Sequence, residues 1–530
     1  MHNQHPIFKK WIPEKLVIPI LIAALIPHVM ILSLFNMNST FTASFLDVDV
    51  DDLQFIFSLA YATIVCGLFI NERLFQFFNI RSYLLTMTLI NIVLMLIIST
   101  TTNTQAIYIL RVIQGTTSYL EGCLIVPLIM SRIKSEYGRL LGNTFLYGFL
   151  TTADKYTTSI VKFAIENYNF NMVIYTVIFF HIISLIIYVF LFSHGRLYPK
   201  KPLYQLNLAG YFLMMISLIS GAFVLVYGKR YYWFESPYII IAFTMTLVFS
   251  GLFILQQLTS KKPIFHFSIL RSERVIIGML IFFTFYVFKS SMSNIYQVMN
   301  VVWNWNWGYV LQIQYYNCGG VYVGALLSYF LISKYQTQYK YVFFFGFFCL
   351  TSSVLWFSYI LVPDTKPSAI IPPLFMEGMG QGMLFAPILQ YMVGSVHANF
   401  SMNTMQAAVA MRYWSSTISY SIMQNAVLYY TTKHQFYMTE NLDITKSYFQ
   451  DQWEALFSKN DASHIVNEST SLTAGNIKSQ LFNQALLITD IQIFRTLFYF
   501  GICLMILIMI YNPIKEILHL KRKKKQKINL

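Results

Sequence analysis

Charge is scarce in this chain. Only 11% of its 530 residues are Asp, Glu, Lys or Arg, while 56% are hydrophobic. Soluble domains usually carry about 25% charge. A soluble chain of this length would form about three domains, with polar and apolar residues alternating along its helices and strands. That alternation is missing, and long apolar blocks follow one another with short polar segments between them. A span of about 20 apolar residues crosses the roughly 30 Å hydrocarbon core of a bilayer, so the solvent of this fold is lipid.

Other absences narrow the class. Five cysteines (Cys66, Cys123, Cys318, Cys349 and Cys503) lie scattered inside apolar blocks. They offer no disulfide framework and no metal-ligand spacing, and read as small core residues. The ten histidines are dispersed, only His2 and His5 being close in sequence, which argues against an iron-dependent membrane enzyme. A Gly-x-x-x-x-Gly-Lys-Ser/Thr phosphate loop does not occur, which argues against a primary pump. No cofactor and no metal is expected. The net charge of +15 does not point to nucleic acid, because the basic residues sit between apolar blocks, where the positive-inside rule places them.

Fourteen spans are expected, at about 16–36, 53–71, 83–101, 106–130, 140–165, 171–193, 207–228, 237–258, 275–296, 308–333, 341–362, 369–394, 404–430 and 491–512. The first follows Lys9, Lys10 and Lys15 and is too long for a signal-peptide core, so it reads as a retained helix. Loops on the N-terminal side carry Arg73, Arg81, Arg132, Lys134, Arg139, Arg196, Lys200, Lys201, Lys261, Lys262, Arg271, Arg274, Lys334 and Lys340, and the tail adds Lys521 to Lys525 and Lys527. Opposite loops carry Asp47, Asp49, Asp51, Asp52, Glu166 and Asp364, with Lys229–Arg230 as an exception. Both termini are therefore expected in the cytoplasm. One outer segment, about 431–490, is long and holds Tyr448, Phe449, Trp453, Leu456 and Phe457. Its end, Ile477 to Ile491, has helical spacing and is expected to run into the last span; the segment reads either as a cap over the outer mouth or as a partly ordered connector.

Two halves emerge when equivalent spans are compared. The fourth span holds Gln114–Gly115 and the twelfth holds Gln381–Gly382. Gly67 precedes Arg73 and Arg81 as Gly324 precedes Lys334 and Lys340. The expected organisation is a six-helix bundle over 1–200, two added helices over 201–262, and a second six-helix bundle over 263–530. Internal repeats of this kind characterise secondary transporters.

The segment Ile109-Leu-Arg-Val-Ile-Gln-Gly115 places an arginine inside a span, at a cost of at least about 2.5–3.5 kcal/mol. Here the chain resembles the major facilitator superfamily, whose fourth helix carries Arg-x-x-Gln-Gly; Arg111, Gln114 and Gly115 match it. Lys261-Lys-Pro-Ile-Phe-His-Phe-Ser-Ile-Leu-Arg271, the glycines Gly378, Gly380 and Gly382 with Pro387, and Arg412 resemble the fourteen-helix drug:proton antiporter branch. In the loop after the second span, Gly67, Arg73 and Arg81 fit the family, with Glu72 standing where its Asp is sought. The chain departs from the branch at Thr151–Ser159, which replaces a Gly-Pro-rich signature, and at Asn38, which stands where an Asp is usual. The resemblance implies proton-coupled efflux of small lipophilic or drug-like compounds across a cytoplasmic (inner) membrane, together with a periplasmic adaptor if the cell is Gram-negative. Proton-coupled uptake of a small solute on the same fold is the second reading. A multispan lipid or sugar transferase, using acids of the 431–490 segment, is a third.

The acids inside spans are Glu121, Asp154 and Glu377, and the bases are Arg111, Lys155, Lys162, Lys289 and Arg412. Asp154 or Glu121 is expected to take the coupling proton, with Arg111 as electrostatic partner and Gln114 beside it. The alternative is a static ion pair that fixes helix register. The substrate cavity is expected near the midplane around Tyr147, Tyr286, Lys289, Asn294, Gln312, Tyr315, Tyr316, Asn317 and Arg412. Trp303, Trp305 and Trp307 read as an interfacial belt. A fluorescent protein fused after Leu530 is expected to fluoresce in the cytoplasm. Alkaline phosphatase inserted at 441–446 is expected to be active outside. The opposite pair of results would invert the topology.

Overall fold

The computed structural model describes residues 7–36, 39–101, 103–133, 136–195, 200, 202–203, 206–440, 442, 447–461 and 466–528. They form seventeen α-helices: α1 (Glu14–Ser33), α2 (Ser39–Leu46), α3 (Val50–Phe77), α4 (Ile80–Thr100), α5 (Thr104–Arg132), α6 (Glu136–Asn167), α7 (Phe170–Leu191), α8 (Leu208–Tyr227), α9 (Pro237–Thr259), α10 (Glu273–Ser290), α11 (Met292–Val301), α12 (Trp307–Ser333), α13 (Tyr339–Ile360), α14 (Pro367–Val393), α15 (Ser401–Glu440), α16 (Ser447–Asp461) and α17 (Val466–Ile528). No strand occurs among the described residues, where Phe8 and Phe192 make an isolated bridge. The dominance of helix follows from the solvent. In lipid each backbone N–H and C=O must be paired within its own segment or in a closed barrel.

Nine segments among the described residues are long and apolar enough to cross a membrane. They are α1, the first three-quarters of α3, α4, α7, α8, α9, α10 with α11, α13, and the part of α17 from Glu468 to Tyr511. Five more helices, α5, α6, α12, α14 and α15, have 29, 32, 27, 27 and 40 residues. At 1.5 Å per residue each is at least about 40 Å long. Polar residues interrupt their apolar runs, among them Arg111, Asp154, Asn317, Glu377 and Arg412. Nine and five make fourteen, at the fourteen positions expected from the sequence.

The boundaries differ in three places. The ninth span breaks at Ser291 into α10 and α11 and continues to Val301. Helix α15 runs to Glu440 and α17 begins at Val466, so the outer 431–490 segment is helical over most of its described residues. The short helix α2 lies in a loop to which the sequence pattern assigned no element. Asn38 lies outside the described residues.

Two compact units are present. The first comprises Met1–Thr284, Tyr329–Gln336 and Phe385–Ile418; the second comprises Phe285–Ser328, Thr337–Leu384 and Ser419–Leu530. In the first, α3 and α5 meet at Gly115, where a Cβ would stand 2.1 Å from Thr63 Oγ1 and 2.4 Å from the Ala60 carbonyl oxygen. The added pair α8 and α9 joins the same unit. Tyr413 donates to the Leu218 carbonyl at 2.9 Å, and a Cβ at Gly221 would meet the Trp414 ring at 2.4 Å. At the α8 end, Lys229 lies 3.2 Å from Asp51, and Arg230 lies 3.0 Å from Asp49 and 3.3 Å from Asp52. Tyr227 donates to Asp52 at 2.6 Å. Burial works against the Arg230 charge, but Asp52 and Asp49 outweigh it and hold the guanidinium above its usual pKa. This clamp accounts for Lys229–Arg230, the basic exception among the acidic loops.

In the second unit, α12 and α14 cross on glycine. A Cβ at Gly324 would stand 2.0 Å from the Met379 carbonyl oxygen, one at Gly378 would stand 2.1 Å from that of Asn317, and one at Gly382 would stand 2.0 Å from that of Val321. Small residues let helix backbones approach in lipid, where packing rather than hydrophobicity holds helices together. Gly251 of α9 has nothing within 4 Å of such a Cβ. Gly382→Ala is therefore expected to destabilise the protein by about 1–3 kcal/mol, the usual range for overpacking. Gly251→Ala should leave stability unchanged or raise it by up to about 1 kcal/mol. Melting curves of the purified protein compare the two. Equal melting temperatures would refute the close contact.

Candidate functional site

Arg111 and Gln114 are one turn apart on α5, so they share a face, and both are fully buried. Arg111 donates to the Ile31 carbonyl at 3.0 Å and to Gln114 Oε1 at 2.6 Å. Its guanidinium lies 5.0 Å over the Phe35 ring, while its Nε and Nη2 have no hydrogen-bond partner. Arg111 thus fastens α5 to the end of α1. No carboxylate stands within ion-pair distance of it among the described residues.

The expected pairing of Arg111 with Asp154 or Glu121 is therefore not what the structure shows. Asp154 is paired with its neighbour Lys155, and its side chain is 45% exposed. Glu121 is ten residues beyond Arg111 on the same helix, about 15 Å along the axis, and has partners of its own. Depth in the membrane, the measure available from sequence, does not say which face of a helix a residue occupies.

Glu121 is fully buried and is met from three helices. From α4, Thr88 Oγ1 donates to Oε1 at 2.5 Å, and Asn91 Nδ2 donates to Oε2 at 3.3 Å. Thr117 of α5 in turn donates to Asn91 Oδ1 at 2.6 Å. From α1, His28 Nε2 lies 3.4 Å from Oε1, and its Nδ1 lies 3.4 Å from Ser118 Oγ. The ring of His181, on α7, stands edge-on to that of His28 at 5.7 Å. His181 Nδ1 is 2.9 Å from the Val177 carbonyl. A carbonyl only accepts, so Nδ1 carries the proton and Nε2 is left facing the cluster. That Nε2 is buried with no hydrogen-bond partner, and the buried Tyr188 hydroxyl of α7 approaches Glu121.

A carboxylate beside an imidazole can hold one proton on either group, with small movement and no change in total charge. Neither His28 nor His181 stood out in the sequence. Each is a single histidine inside an apolar block, and a cluster drawn from four helices leaves no spacing to read.

The other nominated residues fall into separate groups. In the second unit Asn317 donates to Glu377 and, at 2.9 Å, to the Leu374 carbonyl. Gln381 donates to Glu377 at 2.5 Å. Gln312, Tyr315 and Tyr316 line an open surface depression of about 370 Å³ with Tyr309, Ile313 and Ile371. Tyr286 is buried, with the Lys289 ammonium 5.9 Å from its ring, and Asn294 is buried on α11. In the first unit Tyr147 lies 5.4 Å from Phe385. The Arg412 guanidinium stands 5.2 Å over that Phe385 ring and 5.7 Å over Tyr61. Arg81 ties the start of α4 to the end of α7, through His194 at 2.8 Å and the Val189 carbonyl at 2.9 Å. Gly67 is on α3; the side chains of Glu72 and Arg73 lie outside the described residues.

No family model matches the chain. A curated relative, the probable multidrug resistance protein EmrY of Escherichia coli (strain K12), is 23% identical over 331 residues, which is 60% of this chain and 60% of the relative. The chain thus aligns with about three-fifths of that relative's length. Among solved structures, a mutant of the peptide transporter POT with bound sulfate superposes with a TM-score of 0.57 at 13% identity. The match covers 82% of this chain and 92% of that one. A POT family transporter in complex with a thioalcohol-conjugated peptide gives 0.54 at 13% identity, covering 78% and 90%. The chain thus shares the all-helical fold of these transporter structures.

Proposed function

We propose that the chain is a secondary active transporter that expels small lipophilic or drug-like compounds across a cytoplasmic membrane in exchange for protons. The observation that carries this reading is Glu121, a carboxyl group buried among α1, α4, α5 and α7 with the His28 imidazole 3.4 Å away. Intramembrane ionisable groups are rare and usually lie on ion or substrate paths. The likeness to EmrY supports efflux and the fold supports transport. The depression at Gln312, Tyr315 and Tyr316 and the aromatic faces at Tyr147 and Arg412 suit a lipophilic, partly polar substrate.

Division of the chain into related halves over 1–200 and 263–530, with an added pair over 201–262, belongs to the same reading. It is supported by the parallel roles of Gly115 and Gly382. Each follows a glutamine and each fits against the second helix of its half. Arg111 and Gln114 hold α1 against α5 while Glu121 and His28 share the proton; Asp154 is left to a surface role with Lys155. A periplasmic adaptor, where the cell has a second membrane, would meet the outer helical segment of α15, α16 and α17. Uptake of a small solute is the second reading, supported by the fold's likeness to peptide transporters.

The test uses purified protein in liposomes with an imposed pH gradient and a fluorescent lipophilic cation as substrate. Wild-type protein is expected to move the dye against its gradient. Glu121→Gln, which fixes a neutral side chain, should lose proton-driven accumulation by roughly the 5–150-fold typical of coupled sites, yet keep dye exchange without a gradient. His28→Ala should shift the pH profile of transport. Full proton-driven transport by Glu121→Gln would remove Glu121 from the mechanism. Proton-linked uptake of a solute with no dye movement would reverse the direction.

A further inference from the structure

The sequence places Asp490 near the end of the 431–490 segment, in a stretch of helical spacing expected to run into the last span. In the structure it lies inside α17 and is fully buried, among Leu486, Leu487, Ile493 and Phe494, themselves buried. Neither carboxylate oxygen makes a well-aligned hydrogen bond, the Asn294 side chain being the polar group within hydrogen-bonding reach of it, and no cation pairs with it among the described residues. Asn294, on α11, is 1% exposed, and its Nδ2 likewise makes no well-aligned hydrogen bond. The amide oxygen of Asn294 meets Ser293 Oγ at 3.4 Å, at the long end of hydrogen bonding. Other buried acids of the chain are answered: Glu121 by Thr88, Asn91 and His28, and Glu377 by Asn317 and Gln381.

The charged groups described on the surrounding helices are exposed or stand against other side chains; on α10, which packs on α17 through Phe288 and Phe500, the Lys289 ammonium stands 5.9 Å from the Tyr286 ring. On α15, His434 is engaged by Gln492 at 3.0 Å, Lys433 stands over Tyr437, and Glu440 is exposed. On α13, Lys340 stands over Tyr341 in the first turn of the helix. The described charged groups of α16 (Asp451, Glu454 and Lys459) are exposed, as are Glu468, Lys478 and Arg495 of α17. Helix α11 offers Tyr296 and no charge.

An ionised carboxylate without a partner in an apolar interior is strongly disfavoured. Two oxygen-bearing side chains, both buried and each with polar atoms short of a well-aligned hydrogen bond, make a site for a small hard cation. The carboxylate supplies the charge, and the Asn294 amide supplies an oxygen ligand for a metal ion or an N–H for the remaining carboxyl lone pair. We infer that Asp490 and Asn294 form a monovalent-cation site, for a proton or sodium, distinct from the Glu121 cluster. This inference does not depend on the coupling role proposed for Glu121.

The test is the melting temperature of the purified full-length protein, with sodium chloride replaced stepwise by choline chloride at constant ionic strength, at acidic and at alkaline pH. A ligand that binds only the folded state raises the melting temperature with its concentration. For sodium, wild-type protein should gain a few degrees at alkaline pH and lose the gain in acid, where protons compete. For a proton, it should gain with acid and ignore sodium. Asp490→Asn, which has the shape of the protonated residue, should lose the response, and Asn294→Ala should need more ligand for the same shift. Identical sodium and pH responses in wild type and Asp490→Asn would overturn the assignment. If Asp490→Asn does not accumulate, unchanged responses in both Asn294→Ala and Asp490→Glu would overturn it equally. Glu121→Gln should keep the response, so this inference and the coupling reading can fail separately.

Discussion

A polar group inside a lipid-solvated protein must be answered by the protein itself. Water is not there to do it, and an ionised group in the hydrocarbon costs several kcal/mol. That constraint decides which helices of this chain touch. Arg111 is answered by a backbone carbonyl of α1, an amide on its own helix and the face of Phe35. Glu121 is answered by α4 and α1, and Glu377 by α12. Outside the hydrocarbon the same pressure is relaxed. Lys229 and Arg230 could remain solvated there, yet they bind the acids at the start of α3 and hold the added pair α8–α9 against it.

Small residues set the second constraint. Lipid tails are as apolar as leucine, so helices gain little by burying apolar surface and depend on close packing. The two closest crossings, at Gly115 and at Gly378 with Gly382, put a glycine of one helix against backbone carbonyls of its neighbour. The polar partners sit beside these crossings. Gln114 precedes Gly115, and Glu377 precedes Gly378, so the helices are held closest where their buried polar groups need a fixed distance.

Much of this was legible in the sequence. Block length and composition identified lipid as the solvent and placed fourteen spans, because hydrophobicity is a property of a local window. The Gln-Gly pairs marked equivalent positions in two spans, and both glycines lie at close helix crossings. The partners of the buried charges were not legible. His28, Thr88, Glu121 and His181 come from four helices, and each alone resembles a polar residue tolerated in a span. Depth counting put Arg111 and Asp154 within reach, but rotation about the helix axis separates them. The helix through Asp490 was legible, since 477–491 has helical spacing leading into the last span, but its burial was not: α17 starts at Val466, far ahead of its apolar run, and helical spacing does not say which face is covered.

The two polar contacts between α1 and α5 give the proposed proton site a route to the helices around it. His28 meets Glu121, and Ile31 with Phe35 meets Arg111, so the helices run antiparallel with a clasp at each of two levels. The Arg111 clasp is made to a backbone carbonyl and a ring face, neither of which titrates. The His28–Glu121 clasp depends on where one proton sits. On the coupling reading proposed above, a change of protonation there would alter the attraction at one level and leave the contact at the other in place. A ligand or proton shifts a conformational equilibrium only through interactions that differ between the two states. Of the two clasps on α1, the one at Glu121 has that property and the one at Arg111 does not. On that reading Arg111 positions α1, and His28 and Glu121 are the groups whose contact a proton would change.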